Sequence, residues 1–190
     1  MKRTFSRALL LVLAAALPFA AGCTNKQGET ESPVYMTTNI TGTQSLTFNI
    51  APGAGFQLGT VIVTSFPKNS GVTDPQGFQT IQLSSYVVKY TRLDGGTSLP
   101  NPPQQSFAIS GTIPLGGSIT LSGLPVITPA ASQQSPFDQL LPFNGGIDQQ
   151  TGQPTINVGV TVTFFGETVA GTRVSSAPVT FPVLVFFGTQ

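Results

Sequence analysis

The sequence predicts an all-β protein: an antiparallel β-sandwich of about seven strands with one short helical turn, behind a leader and a flexible tether. Three observations carry that expectation. Apolar residues recur with a period of two in window after window, the spacing of half-buried strands. Charged residues make up only 8% of the chain, with Gly, Pro, Ser, Thr and Gln in their place. Beyond the leader, no window has the Ala, Glu, Lys and Leu content of a long helix. With 39% hydrophobic residues a sizeable core can form, and 190 residues leave room for one domain plus extensions.

The chain opens with "MKRTFSR", a positive n-region, and "ALLLVLAAALPFA", an apolar segment of signal-peptide length that is short for a membrane span. Small residues Ala20, Ala21 and Gly22 follow, then Cys23, the single cysteine of the chain. Residues 1–22 with Cys23 resemble a bacterial lipoprotein signal with its lipobox, although Ala20 stands where Leu is usual. The resemblance implies that the Cys23 thiol receives diacylglycerol, that the leader is cut before it, and that the new amino group is acylated, typically by palmitate. The alternative is an ordinary secretory signal, which would leave Cys23 as an unpaired thiol. Two or three acyl chains, at about 0.8 kcal/mol per buried methylene, hold a protein firmly on a membrane. Thr24, rather than Asp, after the cysteine resembles lipoproteins sorted to the outer membrane in enteric bacteria. With the thiol consumed, the fold must stand without disulfides.

Residues 24–42, "TNKQGETESPVYMTTNITG", show no hydrophobic period and read as a tether of about 24 Å average span, placing the domain at 43–190. "SLTFNI" then sets Leu46, Phe48 and Ile50 on one strand face. "TVIVTSF" sets Val61 and Val63 against Ile62 and Phe66. "TIQLSSYVVKYTRLDGG" begins in phase at Ile81 and Leu83 and resumes at Tyr86, Val88 and Tyr90. A phase slip at Ser84–Ser85 predicts a β-bulge, because a one-residue shift otherwise turns every side chain over. Asp94-Gly95-Gly96 signals a turn.

"QSFAISGTI" and "GSITLSGLPVI" give two strands about a Pro114–Gly117 turn. "SQQSPFDQLLPF" reads as the helical turn, with Ser135 as N-cap, Pro136 at the first helical position, Asp138 in a capping box, and Leu140 and Leu141 packing inward. "INVGVTVTFFGE" alternates Ile156, Val158, Val160, Val162 and Phe164. The closing strand sets Val179, Phe181, Val183, Val185 and Phe187 in phase, and Pro182 within it predicts a sheet-edge position, at least at that residue. The Tyr86–Tyr90 run resembles the tyrosine-bearing strand C of immunoglobulin-like and fibronectin type III domains, and residues 160–181 resemble their final hairpin. This implies an immunoglobulin-like sandwich, without the tryptophan and cysteine pair of true immunoglobulin domains.

The chemistry is sparse. No histidine is present, which removes Ser–His–Asp and Cys–His systems and the usual zinc sites. Three of the eight basic residues lie in the leader, so the rest of the chain carries five against seven acidic, a net charge of −2, with no basic patch for nucleic acid. No cofactor, metal or catalytic residue is expected. Asn144 and Asp148, in the polar loop "NGGIDQQTGQP", are the candidate calcium ligands. A hydrolase would have to pair carboxylates such as Asp148 and Glu167. Tyr86 and Tyr90, with Gln82 in phase nearby, are the candidate glycan platform, though the same alternation favours a place in the core. The expectation is a non-catalytic, lipid-anchored cell-envelope protein, on the outer membrane, whose sandwich meets another envelope protein. The alternatives are a carbohydrate-binding surface lipoprotein, a carboxylate-based hydrolase and a small outer-membrane barrel.

Overall fold

The computed structural model describes residues 32–41, 46–51 and 53–188. The expected signal peptide over residues 1–22, Cys23 and Thr24 lie outside the described residues. Nine strands form among the described residues: β1 (Val34–Ile40), β2 (Leu46–Asn49), β3 (Phe56–Pro67), β4 (Ile81–Arg92), β5 (Gln104–Ile113), β6 (Ser118–Ile127), β7 (Thr155–Thr168), β8 (Arg173–Ser175) and β9 (Val179–Phe186). They make two packed sheets, one in the order β1-β3-β6 and one in the order β2-β9-β7-β4-β5, with β8 continuing on β7. This is an all-β sandwich, and the tyrosine-bearing β4 sits between β7 and β5 in the larger sheet.

Alternation builds the core. Ile156, Val158, Val160, Val162 and Phe164 of β7 are fully buried, as are Val61, Val63, Ile81, Val88, Val183 and Val185. Each such side chain contributes about 1.5–3 kcal/mol when taken from water. The apolar phase points into the shared interior, the reverse of a membrane barrel, which turns it outward.

The phase slip in β4 is a bulge. Leu83 pairs Gly166 of β7 and Ser85 pairs the adjacent Phe165, so Ser84 is left without a ladder partner on either neighbouring strand. Ile81 and Leu83 are buried before it, and Tyr86, Val88 and Tyr90 after it. Gly166 is required here, because a Cβ would lie 2.6 Å from the carbonyl oxygen of Gln82.

Three expectations are corrected or narrowed. The tether does not extend to residue 42: Val34–Ile40 form β1, paired antiparallel with β3 from Val34↔Pro67 to Ile40↔Val61. Val34, Met36 and Ile40 are buried there, while Tyr35 stacks on Phe66 across the strands at 5.5 Å. Thr37 and Thr38 interrupt the period that would have revealed this strand.

Secondly, β9 is an edge only at its start, up to Pro182, and not along its length. It pairs antiparallel with β7 over Val179–Phe186 and parallel with β2 over Val183–Phe186. Pro182 stands one residue before the β2 ladder begins, where its missing N–H breaks no bond to β2.

Thirdly, Ser135 does not cap a helix. The predicted turn is a 3-10 turn at Phe137–Leu140 with no side-chain cap, and the Ser135 hydroxyl accepts from Gln139 Nε2 at 3.1 Å. Just upstream, α1 (Pro129–Ser132) is capped by Thr128, whose hydroxyl accepts from Ala131 N at 3.2 Å. Phe137, Leu140 and Leu141 are buried on the sandwich.

Pairing fixes two ends of the sandwich. The entry end holds Val34, Pro67, Ile81, Ile113 and Thr168. The opposite end, hereafter the tip, holds Phe56, Arg92, Ile127, Thr155 and Phe186.

Candidate functional site

Tyr86 and Tyr90 do not form a surface platform. Both lie in the core, with Tyr86 stacked on Phe107 at 5.0 Å between ring centroids and tilted against Phe164 at 5.6 Å. Their hydroxyls cross to the opposite sheet: Tyr86 donates to the carbonyl of Pro125 at 2.8 Å, and Tyr90 to that of Val126. The cause is a second irregularity. β6 pairs Ile127 with Phe56 and Pro125 with Gln57, so Val126 is skipped by the ladder. The phenols satisfy carbonyl groups at this irregularity, which explains why tyrosine rather than phenylalanine occupies these positions. Burial pushes both phenol pKa values well above the ordinary value, with the Tyr86 charge adding to the effect on Tyr90. Gln82 remains exposed on the outer face of β4, so these three residues do not meet.

Asn144 and Asp148 do not converge as calcium ligands either. Asn144 is exposed and spends its amide on the carbonyl of Asp138, at 2.9 Å. Asp148 is fully buried, and its Oδ2 accepts from Arg92 Nη2 at 2.8 Å and from the Thr151 hydroxyl and N–H at 2.7 and 3.1 Å. Among the described residues, no group of three or more His, Cys, Asp or Glu converges as a metal site. The Asp148–Glu167 pairing also fails. Asp148 precedes β7 at the tip while Glu167 lies near its far end, about 40 Å of strand away, beyond the carboxylate spacings that glycoside hydrolysis uses.

At the tip stands an ion cluster that sequence reasoning missed. Arg92, 2% exposed at its side chain, donates from Nε to Asp94 Oδ1 at 2.7 Å, from Nη2 to Asp148, and from Nη1 to the Ser98 carbonyl at 3.2 Å. Asp94 also accepts from Gly96 N and Asn157 N at 3.1 and 2.8 Å. Gln150 completes the clamp, its Oε1 accepting from Thr97 N and Ser98 N at 2.7 and 2.9 Å. One guanidinium thus ties the loop after β4 to the loop before β7.

Burial works against ionisation of both carboxyls. Hydrogen bonds from Arg92, Asn157 N and Gly96 N outweigh it for Asp94, and those from Thr151 and Arg92 outweigh it for Asp148. Both therefore sit below the ordinary aspartate range. Burial likewise opposes the charge on Arg92, and the two carboxylates raise its pKa regardless.

The clamp shapes an uncharged surface. Loops 93–103 and 141–154 carry Asp94 and Asp148 as their charges, and both are turned inward onto Arg92. Outside stand Leu93, Leu99, Phe143 and Ile147, exposed by 53%, 42%, 76% and 45%. The available signal was Arg92 itself, an arginine two residues before the predicted turn aspartate.

Comparison with protein-family models and with curated proteins finds no match to this chain.

Proposed function

We propose that this chain is a cell-envelope lipoprotein, anchored by acyl chains on Cys23, whose sandwich is a non-catalytic interaction module presenting its tip to another envelope protein. The observation that carries the reading is the polarity of the domain. The chain enters at Ser32, beside the Pro67 end of β3, where the 68–80 loop carries Lys68 and Asp74; large apolar side chains are exposed at both ends, and the loops that turn no charge outward stand at the opposite end. Nine residue steps separate Cys23 from Ser32, a reach of at most about 30 Å. An anchor at Cys23 would therefore hold the entry end within that reach of the bilayer, with the tip at the far end of the domain from the attachment.

Large apolar side chains gathered on one exposed surface mark interaction sites. The clamp makes the tip a firm surface by holding both loops without presenting charge. Asp94 and Asp148 are engaged in that structural task, which supports a non-catalytic reading. Among the described residues, no helix is long and apolar enough to cross a membrane.

Two measurements test it. Mass spectrometry of the mature N-terminus should find a diacylglyceryl, N-acylated Cys23, and an unmodified thiol would overturn the anchor. A photo-crosslinking residue at position 143 should capture a reproducible envelope protein in cells. The same residue at exposed Phe78, at the entry end, should not capture it, and equal capture from both positions would overturn the tip as the contact.

A further inference from the structure

We infer that the outer face of the larger sheet carries a second binding site, a groove over the β4 bulge that takes a short neutral glycan. It rests on the envelope reading solely for the compartment in which the sugar is met. The groove has a volume of about 720 Å³, and its lining comes from β4 (Gln82 to Ser85), β7 (Phe165 to Glu167) and β8 (Arg173 to Ser175). That volume falls within the range of small-ligand sites, roughly 300–1,000 Å³.

The bulge makes the depression. Ser84 drops out of both ladders, and its hydroxyl bridges to the Phe165 carbonyl at 3.4 Å. Ser84, Ser85, Gly166 and Ser175 give its lining small residues beside Leu83 and Val174, and Gln82, Phe165, Glu167 and Arg173 are its exposed large members.

The chemistry of these four selects the occupant. Phe165 is 37% exposed, and its ring offers a negative face to the weakly positive C–H face of a sugar ring. Glu167 accepts hydroxyl protons, Arg173 donates to hydroxyl and ring oxygens, and Gln82 can do both. Glu167 and Arg173 are direct cross-strand partners, and so are Gln82 and Glu167. Among the described residues, neither Glu167 nor Arg173 is engaged in an ion pair. The two opposite charges cancel, so the groove attracts no net charge while offering donors and acceptors side by side. A vicinal diol is the group that uses both.

A peptide strand fits less well. β4 and β7, which form most of the groove, are paired along both edges at this level and offer no backbone ladder for strand addition. Thus the glycan site expected at Tyr86 and Tyr90 is placed elsewhere, and Gln82 is shared between the expectation and the groove.

The test uses full-length protein in detergent on an array of neutral oligosaccharides, with glucose and N-acetylglucosamine oligomers among them. Saturable binding to at least one neutral oligomer is expected, unchanged up to about 0.5 M salt, where exposed charges are screened. Phe165→Ala and Glu167→Gln should each weaken it at least about tenfold, while the thermal unfolding midpoint of Glu167→Gln stays at the wild-type value. Phe143→Ser, at the tip, should leave it unchanged. No saturable hit, hits abolished by salt, or hits insensitive to both groove variants would overturn the site. Because crosslinking at position 143 is read separately, failure of the groove and failure of the tip are distinguishable.

Discussion

Replacing Arg92 by Met should cost the domain about 3–5 kcal/mol, because it leaves buried carboxylates without their counter-charge. The structure sets that magnitude. The side chains of Arg92 and Asp148 are 2% and 0% exposed, so water cannot replace the lost guanidinium, and Asp148 would keep only its Thr151 donors. For a domain of this size each kcal/mol moves the unfolding midpoint by about 2–4 °C. The expected drop is therefore about 6–20 °C, measured by circular dichroism at neutral pH.

The pH dependence gives a sharper test, because its sign reverses. In the wild type, Asp94 and Asp148 titrate below their unfolded value near 3.9. Their stabilisation is complete above that pH and is lost as acid protonates them in the fold. In Arg92→Met, burial dominates and raises the Asp148 pKa above the unfolded value. Its protonated form is then the compatible one, so stability is gained as pH falls towards 4. The triple variant Arg92→Met, Asp94→Asn, Asp148→Asn should recover most of the loss and flatten both slopes. A single-variant cost below about 1 kcal/mol, or parallel slopes in wild type and Arg92→Met, would refute a buried charge clamp.

Tyr90→Phe should cost about 1–3 kcal/mol in urea unfolding, since it strands the Val126 carbonyl in the core, and no loss would mean that the carbonyl has another donor. Gly166→Ala should cost about 1–3 kcal/mol by forcing its Cβ against the Gln82 carbonyl, whereas Gly116→Ala, with nothing within 4 Å but a φ of +73°, should lose about 1 kcal/mol to backbone strain alone. Phe143→Ser should leave the unfolding midpoint within about 0.5 kcal/mol of wild type while abolishing capture by a photo-crosslinking residue placed at the neighbouring tip position 147. A stability loss there would show that Phe143 packs rather than docks.

Much of the sandwich was legible because period-two alternation is a local signal tied directly to burial. β7 shows this in its purest form, and the slip at Ser84–Ser85 located a bulge from the phase alone. The candidate sites were less legible, because whether a residue faces in or out depends on partners distant in sequence. The alternation favoured a core place for Tyr86 and Tyr90, but not the carbonyls of Pro125 and Val126, 39 and 36 residues away, that their hydroxyls meet. Asp148 became a buried counter-ion through Arg92, 56 residues away. β1 escaped because Thr37 and Thr38 blur its alternation, though Val34, Met36 and Ile40 are buried.

Pro182 shows how far a sound local rule reaches along a strand. Proline forbids a ladder bond at one residue, not along a whole strand, and β9 satisfies the rule by starting its pairing with β2 at Val183. The consequence reaches function. An apolar β9 at an edge would have invited strand addition, but β2 covers Val183–Phe186, and the larger sheet ends instead at β2 and β5. β5 has no charged residue along Gln104–Ile113, and neither do the tip loops outside the clamp. Net charge near zero on an exposed surface lowers the barrier to association. Partner choice at the tip then depends on shape and apolar area, with ionic steering contributing little, so crosslinking at position 143 should be insensitive to salt over the range that screens surface charge.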